Sequence, residues 1–370
     1  MRKLTLGMEG TIVININFPE NGYEHSLHTK LQKEFLRRNE RGEHFSDEGF
    51  SWLTKIETDK DLTHPNYLEI RWVSDKESHI EISLNADMTD LTDFPGNPVP
   101  AEIQHLGKDG GENVAIIKNM FAGVKYYFKA IADDGTEESE IRTFTTLGDY
   151  PRLISIDDIT NVRDLGLMPT FDGRRIKQGR IYRGVALESI INNDGYFLSA
   201  HGKMQMEYLL GIKNELEIRM DAEGKFSESM ISPNVKYNFI ITRGYEYFFD
   251  KPEMVENRRK LIEFFADENN YPIYFHCAIG ADRTGTLAMF LEALLGVKRY
   301  YIDLDYSLTS LTQKNIRTHI TEGLLYDRLL YPMDYDNSDE CVMRNCEKFL
   351  IETSGVSPET IERLRRNLLE

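Results

Sequence analysis

The chain has 370 residues, 41% of them hydrophobic, enough for two cored units and too apolar for a disordered chain. Its 61 acidic residues against 44 basic ones leave a net charge of -17, which argues against nucleic acid or an anionic membrane as partner unless a local basic patch intervenes. No run of ~18 apolar residues occurs, so no membrane span is predicted, and the opening stretch breaks at Gly7 and Glu9 before a secretory core of ~7 residues could form. The three cysteines, Cys277, Cys341 and Cys346, are too few and too oddly spaced for a disulfide scaffold. A cytoplasmic location follows from the chain as written, with export left open.

In chain order, residues 1 to 55 form an N-terminal segment with a β-like start at Thr11–Ile16 and a helical pattern around Leu31–Arg38. No role attaches to it. His25, His28 and His44 lack cysteine or carboxylate partners at metal-finger spacing and read as solvated surface histidines. Residues 56 to 148 alternate with period two over Tyr67–Val73, His79–Leu84 and Val124–Ile131, the mark of half-buried antiparallel strands. Asp109-Gly110-Gly111 and Asp134-Gly135 supply hairpin turns.

Leu147–Pro151 marks a boundary, and from 149 to 370 helical and strand patterns alternate. A helix is expected over 199–210, stopping at Gly211, with strands at Ile212–Ile218, Tyr237–Thr242 and Tyr271–Phe275 and a helix at Met254–Asp267. This order predicts an α/β domain with a central, mainly parallel sheet flanked by helices. Ligands of such sheets lie beyond the carboxyl ends of strands, where Cys277 falls.

The segment His276-Cys277-Ala278-Ile279-Gly280-Ala281-Asp282-Arg283-Thr284-Gly285 carries the chemistry. A strand, a loop through Gly280 and a helix from about Thr284 bring backbone N–H groups together at a helix N-terminus, an anion cradle. A thiolate is favoured there. Arg283 offers a planar fork that grips two oxygens and stays charged, and Thr284 can donate to the sulfur. Phosphoryl transfer needs this positioning and charge more than it needs covalent help.

These residues resemble the signature loop of the protein tyrosine phosphatases, and the Asp-Arg-Thr-Gly ending resembles an atypical bacterial branch of that family. Asn161–Gly166 with Asp172–Gly184, Gly211–Arg219 and the ending from Gly355 are similar to further elements of the same catalytic domain. The resemblance implies that Cys277 attacks phosphorus, Arg283 holds the phosphate, His276 tunes the thiol, the loop from Ala278 to Arg283 binds phosphate, and Arg163 and Asp164 support the loop. It implies neither metal nor cofactor. Asp303 and Asp305 read as helix-surface or capping carboxylates.

Two departures bear on substrate and mechanism. Ala281 stands where many relatives carry a lysine that favours polyphosphorylated substrates. Gly244 stands near the position of the usual general acid, which leaves Asp282 as first candidate, followed by Glu246 and Asp250. The expected activity is tyrosine or dual-specificity phosphatase on a phosphorylated protein or peptide; the alternatives are a phosphate-binding docking module and a phosphoinositide or inositol phosphate phosphatase. Asn119–Phe128 and Glu140–Thr146 resemble strands of a fibronectin type III domain, which implies an all-β immunoglobulin/fibronectin-like sandwich before the catalytic domain, docking an unidentified partner.

Overall fold

A computed structural model describes residues 14–41, 52, 62–92, 101–107, 112–188, 197–220, 227–312, 317 and 338–370. The chain groups into two units, Met1–Leu27 with Asn66–Gly148, and His28–Pro65 with Asp149–Glu370.

The first unit holds nine strands: β1 (Asn15–Phe18), β2 (Tyr23–Ser26), β3 (Leu68–Val73), β4 (Ser78–Ser83), β5 (Leu91–Thr92), β6 (Glu102–Gly107), β7 (Glu112–Lys118), β8 (Lys125–Ala132) and β9 (Arg142–Leu147). They form a four-stranded sheet, order β1-β3-β7-β6, and a five-stranded sheet, order β2-β9-β8-β4-β5. Alternation drives both: β3 buries Leu68, Ile70 and Trp72, and β8 buries Tyr126, Phe128, Ala130 and Ala132, as period two requires. At the Asp134-Gly135 turn, Gly135 has φ +69° and donates to the Ala132 carbonyl. The Asp109–Gly111 turn lies outside the described residues, although β6 and β7 pair antiparallel up to Gly107 and Asn113.

The N-terminal segment does not stand alone as expected. β1 pairs with β3 and β2 runs parallel to β9, so residues 15–26 complete the two sheets. Helix α1 (Lys30–Glu40) belongs to the second unit. Thr29 caps it through a capping box with Gln32, whose amide donates to the Leu62 and His64 carbonyls. The surface reading fails for two histidines. His25 is an inward residue of β2 and is buried, and His28 Nε2 lies 2.7 Å from the Pro151 carbonyl, where burial lowers its pKa. His44 lies outside the described residues.

In the second unit, β10 (Arg152–Leu153), β11 (Arg163–Asp164) and β12 (Ile181–Gly184) are followed by α2 (Ala200–Met204), which continues as a π-helical turn over 205–209. Then come β13 (Asn214–Glu217), β14 (Lys236–Phe239), α3 (Glu246–Asp250), α4 (Met254–Phe265) and β15 (Ile273–His276). The helices α5 (Asp282–Leu294), α6 (Arg299–Leu308), α7 (Asp339–Ser354) and α8 (Pro358–Leu368) complete it. The sheet order is β10-β11-β12-β15-β13-β14, parallel from β12 to β14 and antiparallel at β10 and β11. Every residue of β15 is buried, as is α5 from Thr284 to Leu294. Continuous apolar strands with a helix on the face are the expected consequence of a parallel sheet. Among the described residues, no helix is long and apolar enough to cross a membrane.

Candidate active site

Cys277 follows β15, a strand with parallel neighbours on both sides, and is 1% exposed. Residues 277–281 form a loop that enters α5 at Asp282, two residues earlier than expected, so Asp282 and Arg283 lie in the helix's first turn. No side chain caps that helix end, which leaves its N–H groups for a ligand. Gly280 has φ +68°, and a Cβ there would lie 2.4 Å from the Gly184 carbonyl oxygen. Only glycine fits.

The loop's carbonyls are engaged from outside. The Ala278 carbonyl accepts from Ala186 N–H at 3.3 Å, those of Ile279 and Gly280 accept from Asn161 Nδ2 at 3.3 Å each, and Gly280's also accepts from Arg183 at 2.8 Å. A trans peptide points its N–H opposite to its C=O, so the amides of Ile279, Gly280 and Ala281 face the other way, to the inside of the loop. Three amides turned the same way at a helix N-terminus without a side-chain cap suit a tetrahedral anion.

His276 is fully buried, with Nε2 at 3.0 Å from Glu215 Oε1. Glu215 is held in turn by the Ser229 hydroxyl at 2.5 Å and Met230 N–H at 3.1 Å. The imidazole is thereby fixed in orientation beside the nucleophile position. A cavity of about 440 Å³ lined by Lys203 and residues 227–233 includes Ser229 but none of the loop residues.

Beneath the loop lies a buried ionic cluster. Arg163 binds Asp305 Oδ1 through Nε at 2.7 Å and the Asp305 carbonyl at 2.8 Å, and reaches Asn161 Oδ1 at 2.6 Å. Arg183 pairs with Asp305 Oδ2, and the Tyr150 hydroxyl donates to Oδ1 at 2.6 Å. Burial pushes the Asp305 carboxyl up, but the two guanidiniums outweigh it and hold the group below its ordinary range. Asp305 is thus a buried hub, not the helix-surface or capping carboxylate expected: its carboxylate is shared by two buried arginines. On α5, Glu292 is buried and neither carboxyl oxygen has a hydrogen-bond partner among the described residues. Burial, then the charge of Asp305, push its pKa well above the ordinary range.

Of the two expected supports, Arg163 reaches the loop through Asn161. Asp164 instead pairs with Arg152 at 2.8 Å and accepts from the Gly166 and Gly179 amides, organising the turn after β11. Among the described residues Thr284 Oγ1 is buried with no hydrogen-bond partner, so the expected donation to the sulfur is not made in this geometry. Asp282 Oδ1 accepts from the Tyr245 hydroxyl at 2.6 Å and Arg317 Nε at 2.9 Å. Gly244 lies against the loop: a Cβ there would meet Arg283 N at 3.6 Å. Glu246 and Asp250 lie on α3, whose entrance is tied to α5 by Tyr245 N–H on Thr286 Oγ1. Burial pushes the Cys346 thiol well above its ordinary pKa, which makes it a poor nucleophile.

A sequence profile of the tyrosine phosphatase family matches residues 154–370, more than half of the chain. The chain belongs to the tyrosine phosphatase family. The family match starts directly after β10 and contains the whole loop, the ionic cluster except Tyr150, and Gly244. A candidate tyrosine-protein phosphatase of Cupriavidus necator is 27% identical over 177 residues, which cover 41% of this chain and 61% of the relative. The chain thus spans about three fifths of that relative's length. Among solved structures, the core catalytic domain of a PP-IP phosphatase from S. cerevisiae, in complex with citrate, is similar with 16% identity and a TM-score of 0.29, over 44% of this chain and 82% of that one.

Proposed function

We propose that the protein is a cysteine-dependent phosphomonoesterase acting on phosphotyrosine in proteins or peptides. The observation that carries this reading is the loop of inward-facing amides set between Cys277 and Arg283 at an uncapped helix N-terminus. In the first step the Cys277 thiolate attacks phosphorus, the ester P–O bond breaks, and the leaving oxygen takes a proton from a general acid. In the second, water attacks the phosphocysteine, the S–P bond breaks, and phosphate leaves with the thiolate restored. Arg283 and the loop amides carry the charge on the equatorial oxygens in both steps. Asp282 is the proposed acid, as the carboxyl beside Arg283 in the first turn of α5.

Ala281 supplies no extra cation, which with the net charge of -17 favours a monophosphate over a polyphosphorylated inositol. The test is turnover of phosphotyrosine peptide, phosphoserine peptide and inositol phosphates without added metal, with Cys277→Ser and Arg283→Ala as controls. Loss of all turnover in both variants is expected. Faster turnover of inositol phosphates than of phosphotyrosine would reject the substrate assignment. A second reading, a phosphate-gripping docking module without turnover, draws on Gly244 beside Arg283, and retained phosphate binding without turnover by the wild type would favour it.

The first unit is proposed as an immunoglobulin/fibronectin-like docking module. The β1-β3-β7-β6 order and, apart from the added parallel strand β2, the β2-β9-β8-β4-β5 order support this reading. Tyr126, near the start of β8, accepts Phe121 N–H at 2.8 Å through its hydroxyl, as in the tyrosine corner of that architecture.

A further inference from the structure

We propose that Asn161 and Arg183 are positioning residues of the phosphate loop, turning the Ile279 and Gly280 carbonyls outward so that the Gly280 and Ala281 amides face the anion. The inference rests on the phosphate-site reading above. A loop of five residues between a strand and a helix can place each peptide plane in either sense. With a carbonyl turned inward, the loop would present a negative dipole to a dianion. At Gly280, where the bond is buried, rotation outward needs an external donor, because a buried carbonyl without one loses the hydrogen bond that water would give it.

Asn161 Nδ2 stands 3.3 Å from both carbonyls and Arg183 2.8 Å from the second. They come from two paired strands: Arg183 from β12, and Asn161 from just before β11. Both donors are themselves fixed. Arg183 is fully buried and paired with Asp305, while Asn161 Oδ1 is held by Arg163, which Asp305 also binds. One carboxylate therefore orients both donors, and the loop cannot relax inward without breaking a buried ion pair. The fit between Gly280 and the Gly184 carbonyl seats the loop on the residue next to Arg183, so a shift of β12 moves donor and seat together.

The experiment uses the full chain and reads inorganic phosphate affinity from the phosphate-dependent rise in melting temperature, beside KM and kcat for an aryl phosphate and the rate of Cys277 alkylation. Asn161 has φ +59°, so Asn161→Gly removes the donor without straining the backbone. That variant is expected to weaken phosphate affinity about 10-fold, the worth of hydrogen bonds that orient a charged contact, and to raise KM while alkylation stays at the wild-type rate. Arg183→Lys, which keeps the charge and loses the fork, should fall between wild type and Arg183→Met. If the Arg183 variants do not fold, Asn161→Gly alone decides. Folded Asn161→Gly with wild-type phosphate affinity would overturn the proposal. If the wild type gains no stability from phosphate, the phosphate-site reading itself falls and takes this inference with it.

Discussion

A methyl group on Gly280 would sit 2.4 Å from the Gly184 carbonyl oxygen at a φ of +68°, so Gly280→Ala meets both a clash and a strained backbone. Such strain costs roughly 1–3 kcal/mol, and the chain can release it only by lifting the loop from β12. Gly280→Ala is therefore expected to lower phosphate affinity at least as much as Asn161→Gly, measured by the same melting shift; a wild-type shift would show that the loop tolerates a side chain. Gly244 is the opposite case. A Cβ there meets Arg283 N at 3.6 Å and Arg283 Cγ at 3.7 Å, ordinary contacts, so a side chain fits beside Arg283. A general acid contributes about 10²- to 10⁴-fold, and with Asp282 supplying the proton as proposed, Gly244→Asp is expected to leave the ratio of kcat for an alkyl phosphate to that for an aryl phosphate unchanged. A rise of ~10-fold or more in that ratio would show that Asp282 does not act as the acid.

At the scale of elements, α5 begins at Asp282 with no side-chain cap and carries Glu292 nearly three turns further along, where it faces Asp305 of α6 and the guanidiniums of Arg163 and Arg183. The folded chain keeps the Glu292 proton that the unfolded chain loses above its ordinary pKa of 4.5. The stability tied to that proton is thus fully present below about pH 4.5 and declines as pH rises towards the elevated folded value, by at most about 1.4 kcal/mol per pH unit. Glu292→Gln has no proton to lose. Its denaturant midpoint relative to wild type should improve steadily from pH 5 to pH 8, and parallel profiles would show that Glu292 ionises normally. The element that holds the nucleophile was legible in the sequence because its residues are contiguous from His276 to Gly285. The cluster beneath it was not: Asn161, Arg183, Glu292 and Asp305 are joined only by the sheet and by the packing of α5 and α6. A charged residue inside an otherwise apolar helical pattern, as Asp305 is among Ile302, Leu304 and Leu308, was the one available signal of burial.

At the scale of the whole molecule, the mainly parallel sheet of the second unit with its flanking helices followed from its alternating pattern, whereas the strand order and the membership of residues 1 to 65 did not. The β-like start expected at Thr11–Ile16 overlaps β1, but β2 is four residues, too short for periodicity to declare it, and its partner β9 lies about 120 residues further along. The stretch 28–65 leaves the first unit altogether. Within the second unit, Phe35 is fully buried, Gln32 holds the Leu62 and His64 carbonyls, Leu62 N–H donates to the Leu311 carbonyl at 3.1 Å, and His28 reaches Pro151. A fragment of residues 149–370 alone would therefore leave the Leu311 and Pro151 carbonyls without these donors and uncover the apolar surface against α1. Burying a single phenylalanine contributes about 1.5–3 kcal/mol, so that fragment should melt several degrees below one in which residues 28–65 are joined to it by a short linker. Adding residues 28–65 as a separate peptide should restore part of the loss in proportion to its concentration, as linkage requires. Equal melting temperatures for the two fragments, with no response to the peptide, would show that the second unit is held from residue 149 onward and owes nothing to residues 28–65.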